Sequence, residues 1–188
     1  IGAHHPVFGN NTYLLYLQGG AGILIEPNAD FCKTGTRKRP RDICIAAGAG
    51  EADGSATFYA FSQNTRSTFS KEQAEQWEKT SGQKPIITTI PLFSLDTIIS
   101  RHCKTRKPDV LAIDAEGLDI KILSGFSWSD RPKIICVESI ESGTPAREDP
   151  AKPEKIPQRN RTLYALLEQH GYAPYAETFA NTIFVDIT

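Results

Sequence analysis

The chain has 188 residues, with 21 Lys plus Arg set against 22 Asp plus Glu, and 39% of its residues are hydrophobic. That length suits one domain, residues 1–188, with a sizeable core. The charge balance argues against nucleic acid or an anionic membrane as partner, and no apolar run approaches the ~20 residues of a transmembrane helix. Cys32, Cys44, Cys103 and Cys136 lack metal-ligand spacing. Cys44 and Cys136 fall in expected buried strands, so they read as reduced small hydrophobes and point to a cytoplasmic setting. The chain holds no Met and opens at Ile1 as if in the last turn of a strand. Upstream residues are therefore expected to be missing, which leaves a targeting signal open.

Ile1 reads as a strand end and residues 2–9 as the loop after it, where glycine lets a ligand approach the backbone. Asn10 or Asn11 is suited to cap a helix with Tyr13, Leu14 and Leu17 on its apolar face, stopped at Gly19-Gly20. The strand Gly22-Ile-Leu-Ile-Glu-Pro27 then finishes in an acid, Glu26, 24 residues after Gly2. A dinucleotide fold places its ribose-binding carboxylate at about 20 residues, and such a carboxylate serves adenosine as well as NAD. A short helix over residues 28–34 follows. The basic run Arg37-Lys38-Arg39 with Arg41 reads as a solvated helix end beside a turn, the alternative being a phosphate site.

Residues 42–46 form the next strand, and the small residues Ala47-Gly-Ala-Gly50 after it suit a flat adenine ring, or simply a tightly packed loop. Residues 55–61 alternate as an added strand, and the polar loop 63–69 is a candidate lid or a plain connection. It leads into a helix with the capping-box pattern Ser70-x-x-Gln73. Residues 86–90 are a strand, and Ser94 starts a helix with Leu95, Ile98, Ile99 and His102 on one face. Residues 110–113 are short, apolar and β-rich, as suits a strand buried on both faces, and they end abruptly in Asp114-Ala-Glu-Gly117. A helix over residues 118–123 follows, and then the strand Lys133-Ile-Ile-Cys-Val-Glu138, again ending in an acid. Residues 141–161 hold four prolines and read as a long surface loop. Asn160 caps a helix over residues 161–170, and the chain closes in a hairpin about Ala180-Asn181.

Alternating strands and helices predict a mostly parallel, doubly wound α/β sheet of Rossmann-like type, with a C-terminal antiparallel hairpin strand. Ligands bind at the carboxyl ends of strands in such sheets, which places Glu26, Asp114 and Glu138 on one functional rim. The competing reading is that Asp114 or Glu116 merely caps the next helix. Asp114, Glu116 and Glu138 are also oxygen ligands of the kind Mg²⁺ prefers, although nothing in the sequence requires a metal.

Several stretches resemble the FkbM family of S-adenosylmethionine-dependent methyltransferases, in family order and across nearly the whole chain. They are Ile1-Gly-Ala-His-His-Pro6 with Asn11-Thr-Tyr13, Gly22-Ile-Leu-Ile-Glu-Pro-Asn28, Phe58-Tyr59 with the loop 64–69, Ser94-Leu-Asp96, Ala112-Ile-Asp-Ala-Glu-Gly-Leu-Asp119 and Ile135-Cys-Val-Glu138. The resemblance implies a class I methyltransferase fold with S-adenosyl-L-methionine as cofactor. It further implies that Gly2 and Ala3, with His4 beside them, line the methionine part and that Glu26, followed by Pro27, holds the ribose. Ala46 and Ala47 would lie by the adenine, and Asp114 near the methionyl amino group or the reacting centre. The family's usual Asp before the Ile-Gly-Ala motif has no counterpart here, and His4-His5 replaces a commoner Asn. The acceptor it implies is a hydroxyl on a sugar, glycan or small natural product.

Methyl transfer to oxygen needs orientation and a base for a hydroxyl proton, and His5, Asp114 and Glu138 are the candidates. A histidine that titrates near neutrality is chemically convenient, although His5 could equally be a loop residue bonding backbone. Two alternatives stay open. One is an NAD-binding oxidoreductase, against which stand the incomplete Gly-x-Gly-x-x-Gly and the lack of a Tyr-x-x-x-Lys pair. The other is a nucleotide-binding or partner-binding domain without catalysis.

Overall fold

The computed structural model of the chain describes residues 1–62, 66–103, 106–115, 117–140 and 159–188. Its first half runs α1 (Tyr13–Leu17), β1 (Ile23–Ile25), α2 (Ala29–Lys38), β2 (Ile43–Ile45), β3 (Gly48–Ala49), β4 (Gly54–Ala60) and α3 (Lys71–Ser81). The second half runs β5 (Ile86–Phe93), α4 (Leu95–His102), β6 (Val110–Ile113), α5 (Asp119–Ser124), β7 (Ile134–Glu138), α6 (Arg161–Gln169), β8 (Tyr172–Glu177) and β9 (Asn181–Asp186). The architecture is mixed α/β.

Short polar side chains start four of the helices. Asn28, Ser70, Ser94 and Asn160 each accept a backbone N–H from the first turn of α2, α3, α4 and α6. Such caps satisfy donors that the helix itself leaves unpaired. The capping box at α3 is one-sided, because Gln73 instead accepts from the Thr68 hydroxyl at 2.7 Å. The cap expected for α1 does not form. Thr12 holds that position without a side-chain bond, and Asn10 Oδ1 accepts from Thr12 N while its Nδ2 donates to the Ala3 carbonyl.

β1 pairs with β2 in parallel, β5 lies between β3 (parallel) and β4 (antiparallel), and the last sheet has the order β6-β7-β9-β8. There β6 and β7 are parallel, while the hairpin β8–β9 enters antiparallel through β9. Residues 1–3 lie between two of the sheets: Ile1 N donates to Ala112 O at 2.7 Å, Asp114 N to Ile1 O at 3.2 Å, and Ala3 N to Ile25 O at 3.1 Å. Ile25, Ile113, Ile135, Val137 and Phe184 from the strands pack with Leu95, Ile98, Ile122, Leu163 and Leu167 from the helices in one core.

Two expectations from sequence are corrected. Leu14 and Leu17 do not form the inner face of α1, because both are exposed and Tyr16 is the buried residue. The guanidinium groups of Arg39 and Arg41 stand over the Tyr16 ring and turn α1 on that side chain. The basic run is not wholly solvated either. α2 extends to Lys38, past the expected end at residue 34, and Arg39 is 2% exposed. It pairs with buried Asp42 at 2.6 Å and donates to Pro6 O, Asn10 Oδ1 and Thr12 Oγ1. Residues 63–65 of the candidate lid, Glu116, and residues 141–158 of the proline-rich segment lie outside the described residues.

Candidate functional site

Glu26 follows directly on β1, and its N–H continues the ladder to Ile45 O. Its carboxylate is buried, with Oε2 accepting from His4 N at 2.6 Å and Oε1 from Asn28 N at 2.8 Å. Burial pushes its pKa up and the two N–H groups oppose the rise. An ionised carboxylate so held keeps lone pairs for further donors, which suits a pair of vicinal hydroxyls. The loop between Ile1 and Glu26 fits only with glycine at its start. Gly2 has φ +66°, and a Cβ there would stand 1.8 Å from the Asp114 carbonyl oxygen. No L side chain tolerates both conditions. His4 also has a positive φ, +45°.

Asp114 follows β6 at the same level. Burial raises its pKa, the neighbouring Asp119 carboxylate raises it further, and His4 pulls it down. Asp119 is itself buried and accepts from Ala115 N at 3.1 Å and Gly117 N at 3.2 Å. Burial raises its pKa as well. Among the described residues no Lys or Arg forms an ion pair with Glu26, Asp114 or Asp119.

The two histidines have different surroundings. His5 Nδ1 accepts from Val7 N at 3.2 Å and Phe8 N at 3.0 Å. Those bonds take the lone pair of the neutral ring, leave Nε2 carrying the hydrogen, and give His5 the work of shaping the loop. His4 instead packs edge-on against Phe31 of α2, with ring centroids 4.5 Å apart. Its Nε2 is buried without a hydrogen-bond partner among the described residues. Burial holds its pKa below the ordinary histidine value, with a smaller push from His5 and an opposing pull from Asp114.

Gly2, Ala3, His4, Glu26, Pro27, Ala47 and Asp114 all line one cleft of about 1130 Å³. It continues between β1 and β6, past Ile23, Leu24, Val110 and Leu111, so it exceeds what one nucleotide would fill. Gly48, Ala49, Phe58 and Phe69 add a small and aromatic wall. His5, Ala46 and Glu138 are not among the lining residues. Ala46 is exposed, whereas Ala47 is fully buried. Glu138 ends β7 opposite Asn181 of β9. Among the described residues no group of three His, Cys, Asp or Glu could hold a metal ion, and no helix is long and apolar enough to cross a membrane.

Sequence reasoning missed Arg39, Asn10 and Asp119 as parts of this region. Asp119 left a local signal, an acid two residues past a glycine in a strand-to-helix turn. Arg39 left only an acid three residues on, Asp42, since its partners at Pro6 and Asn10 are about thirty positions away.

Gly2 and the acids Glu26 and Asp114, which follow the parallel-paired strands β1 and β6, open on one cleft. The Methyltransferase FkbM domain family matches residues 1–174, and the chain belongs to that family. No curated protein sequence matches it. Among solved structures it is similar to Methyltransferase FkbM from Methylobacillus flagellatus KT, at 14% identity and a TM-score of 0.45 over 87% of this chain. The match spans 36% of that protein, so the chain corresponds to about a third of its length.

Proposed function

We propose that this chain binds S-adenosyl-L-methionine and transfers a methyl group to a hydroxyl oxygen on a small-molecule or glycan acceptor. The observation that carries the reading is Glu26, buried at the end of β1, with both oxygens oriented by backbone N–H groups and facing the cleft that Gly2 and Asp114 share. The cleft fits the cofactor's parts: an acid for ribose hydroxyls, Ala47 to Ala49 for a flat base, and Gly2-Ala3 where backbone must be approached closely. Family membership supports methyl transfer. We further propose that the three sheets belong to one doubly wound domain. Residues 1–3 would act as the end of a central strand between β1 and β6, as their hydrogen bonds on both sides suggest.

Bound in this cleft, the cofactor would supply an electrophilic methyl carbon for the acceptor oxygen, with its sulfur as the leaving group that keeps the electron pair of the carbon–sulfur bond. The chain's part is to orient the acceptor and remove its proton. We assign proton removal to Asp114. It lines the cleft and its raised pKa makes it a better base than an ordinary aspartate. His5 would have to break the loop's two hydrogen bonds to act, and Glu138 lies outside the lining.

Calorimetric titration with S-adenosylmethionine, S-adenosylhomocysteine and NAD tests the reading. Micromolar binding of the sulfur nucleotides is expected, weakened roughly 10- to 100-fold in Glu26→Ala, as loss of a charged hydrogen-bond acceptor predicts. Binding of NAD with silence from both sulfur nucleotides would overturn it.

A further inference from the structure

We infer that Asp119 is a positioning residue for Asp114, holding the turn that presents Asp114 to the cleft and supplying a negative charge against which it must ionise. The inference rests on the methyl-transfer reading, in which Asp114 removes the acceptor proton. Asp119 opens α5 yet does not cap it. The cap position belongs to Leu118, which makes no side-chain cap bond. The Asp119 oxygens turn back to Ala115 N and Gly117 N, so one carboxylate holds the backbone N–H of the residue next to Asp114 and that of Gly117. Gly117, at φ +90°, adopts the conformation that such a turn demands. A carboxylate offers each donor its own oxygen, whereas an amide in its place has one acceptor oxygen to share.

Asp119 is 6% exposed and does not line the cleft, so it reaches the chemistry only through Asp114. A buried acid without a side-chain cation paired to it among the described residues costs stability and calls for a reason. Among the described residues, the following groups act on Asp114. Asp119 faces it from α5, the Ile1 amine and His4 from the N-terminal segment, and the Cys136 thiol from β7, with Glu26 across the same amine. Of these, His4 favours the charged form of Asp114, and Asp119 opposes it. A carboxylate held in that way takes a hydroxyl proton more readily as the carbon–oxygen bond forms.

Carbon-13 NMR titration of the aspartate carboxyls, on the full chain without ligand, tests this directly. Asp114→Asn identifies the Asp114 signal by its loss. In Asp119→Asn, checked for native packing by near-ultraviolet circular dichroism, the Asp114 midpoint is expected to move down. An unchanged or raised midpoint in the folded variant overturns the inference, because a purely structural Asp119 would not lower it. If Asp119→Asn does not fold, the reciprocal experiment decides. Coupling is mutual, so the Asp119 midpoint must fall in Asp114→Asn, and an unmoved one overturns the inference. Failure of the wild-type chain to bind S-adenosylhomocysteine is a separate result. It overturns the methyl-transfer reading, while coupled midpoints would still establish the Asp114–Asp119 interaction.

Discussion

At the start of β2, Asp42 is 8% exposed and lies 2.6 Å from the guanidinium of Arg39, whereas Glu26 and Asp119, each 6% exposed, have no side-chain cation paired with them among the described residues. The burial is equal and the compensation is not. Asp42 also accepts from Gly22 N, and the Arg39 Nη groups donate to Pro6, Asn10 and Thr12, while its buried Nε has no hydrogen-bond partner among the described residues. That set fixes shape: it ties the loop after residue 3 to the base of β2. Glu26 after β1 and Asp119 at the start of α5 accept from backbone N–H groups and carry raised pKa values. A fold gains little from such groups, which supports the proposal that they serve a ligand or a proton. The two regions meet at Asn10, which accepts from Arg39 and donates to Ala3.

The largest effect should come from breaking the compensated side. Arg39→Met leaves Asp42 buried without its cation and unties three loop acceptors. Unfolding in urea should show a loss of about 3–5 kcal/mol, as removal of one partner of a buried ion pair does. The double variant Arg39→Met with Asp42→Leu should recover much of that loss, because the stranded charge is gone. Gly2→Ala comes next. Its methyl would meet the Asp114 carbonyl at 1.8 Å in a left-handed backbone. A stability loss of about 1–3 kcal/mol is expected. Binding of S-adenosylhomocysteine should fall at the same time, since the displaced turn carries Asp114.

The two sides also differed in how far they could be read in advance. Glu26 and Asp114 were legible because an apolar strand stops at each of them, and a strand end is a local pattern. The C-terminal hairpin was legible for the same reason, as alternation broken by turn residues. Arg39 was not. In sequence it is one cation in a basic run. Its burial follows from a loop that folds back over α2 from positions 6 to 12, a non-local event that composition does not encode. Leu14 and Leu17 misled for a related reason: helical spacing shows that a helix has an apolar side, and the neighbours decide which side is covered. For the histidines, residue type pointed to His5 as a base, and only the geometry shows its lone pair engaged by Val7 and Phe8.

The smallest effect has the opposite sign, and it separates the two regions most sharply. Asp114 has a folded-state pKa raised above its ordinary value of 3.8. The folded chain therefore holds that proton more tightly than the unfolded chain does. The stability this provides is full below pH 3.8 and is lost as the pH climbs through the folded value. Asn at position 114 never ionises, so the variant escapes the loss. Asp114→Asn should be more stable than the wild type at pH 8 by about 0.5–2 kcal/mol, the usual scale of single stabilising changes at strained sites. The gain should shrink as the pH falls and vanish below pH 3.8, where both side chains are neutral. The same variant should lose about 10²- to 10⁴-fold in methyl transfer, the usual contribution of a general base. Paired denaturation curves at pH 8 and pH 3.5 test the first half. A variant less stable than wild type at both would mean that Asp114 is compensated after all, as Asp42 is, and would move it from the reactive side of the comparison to the structural one.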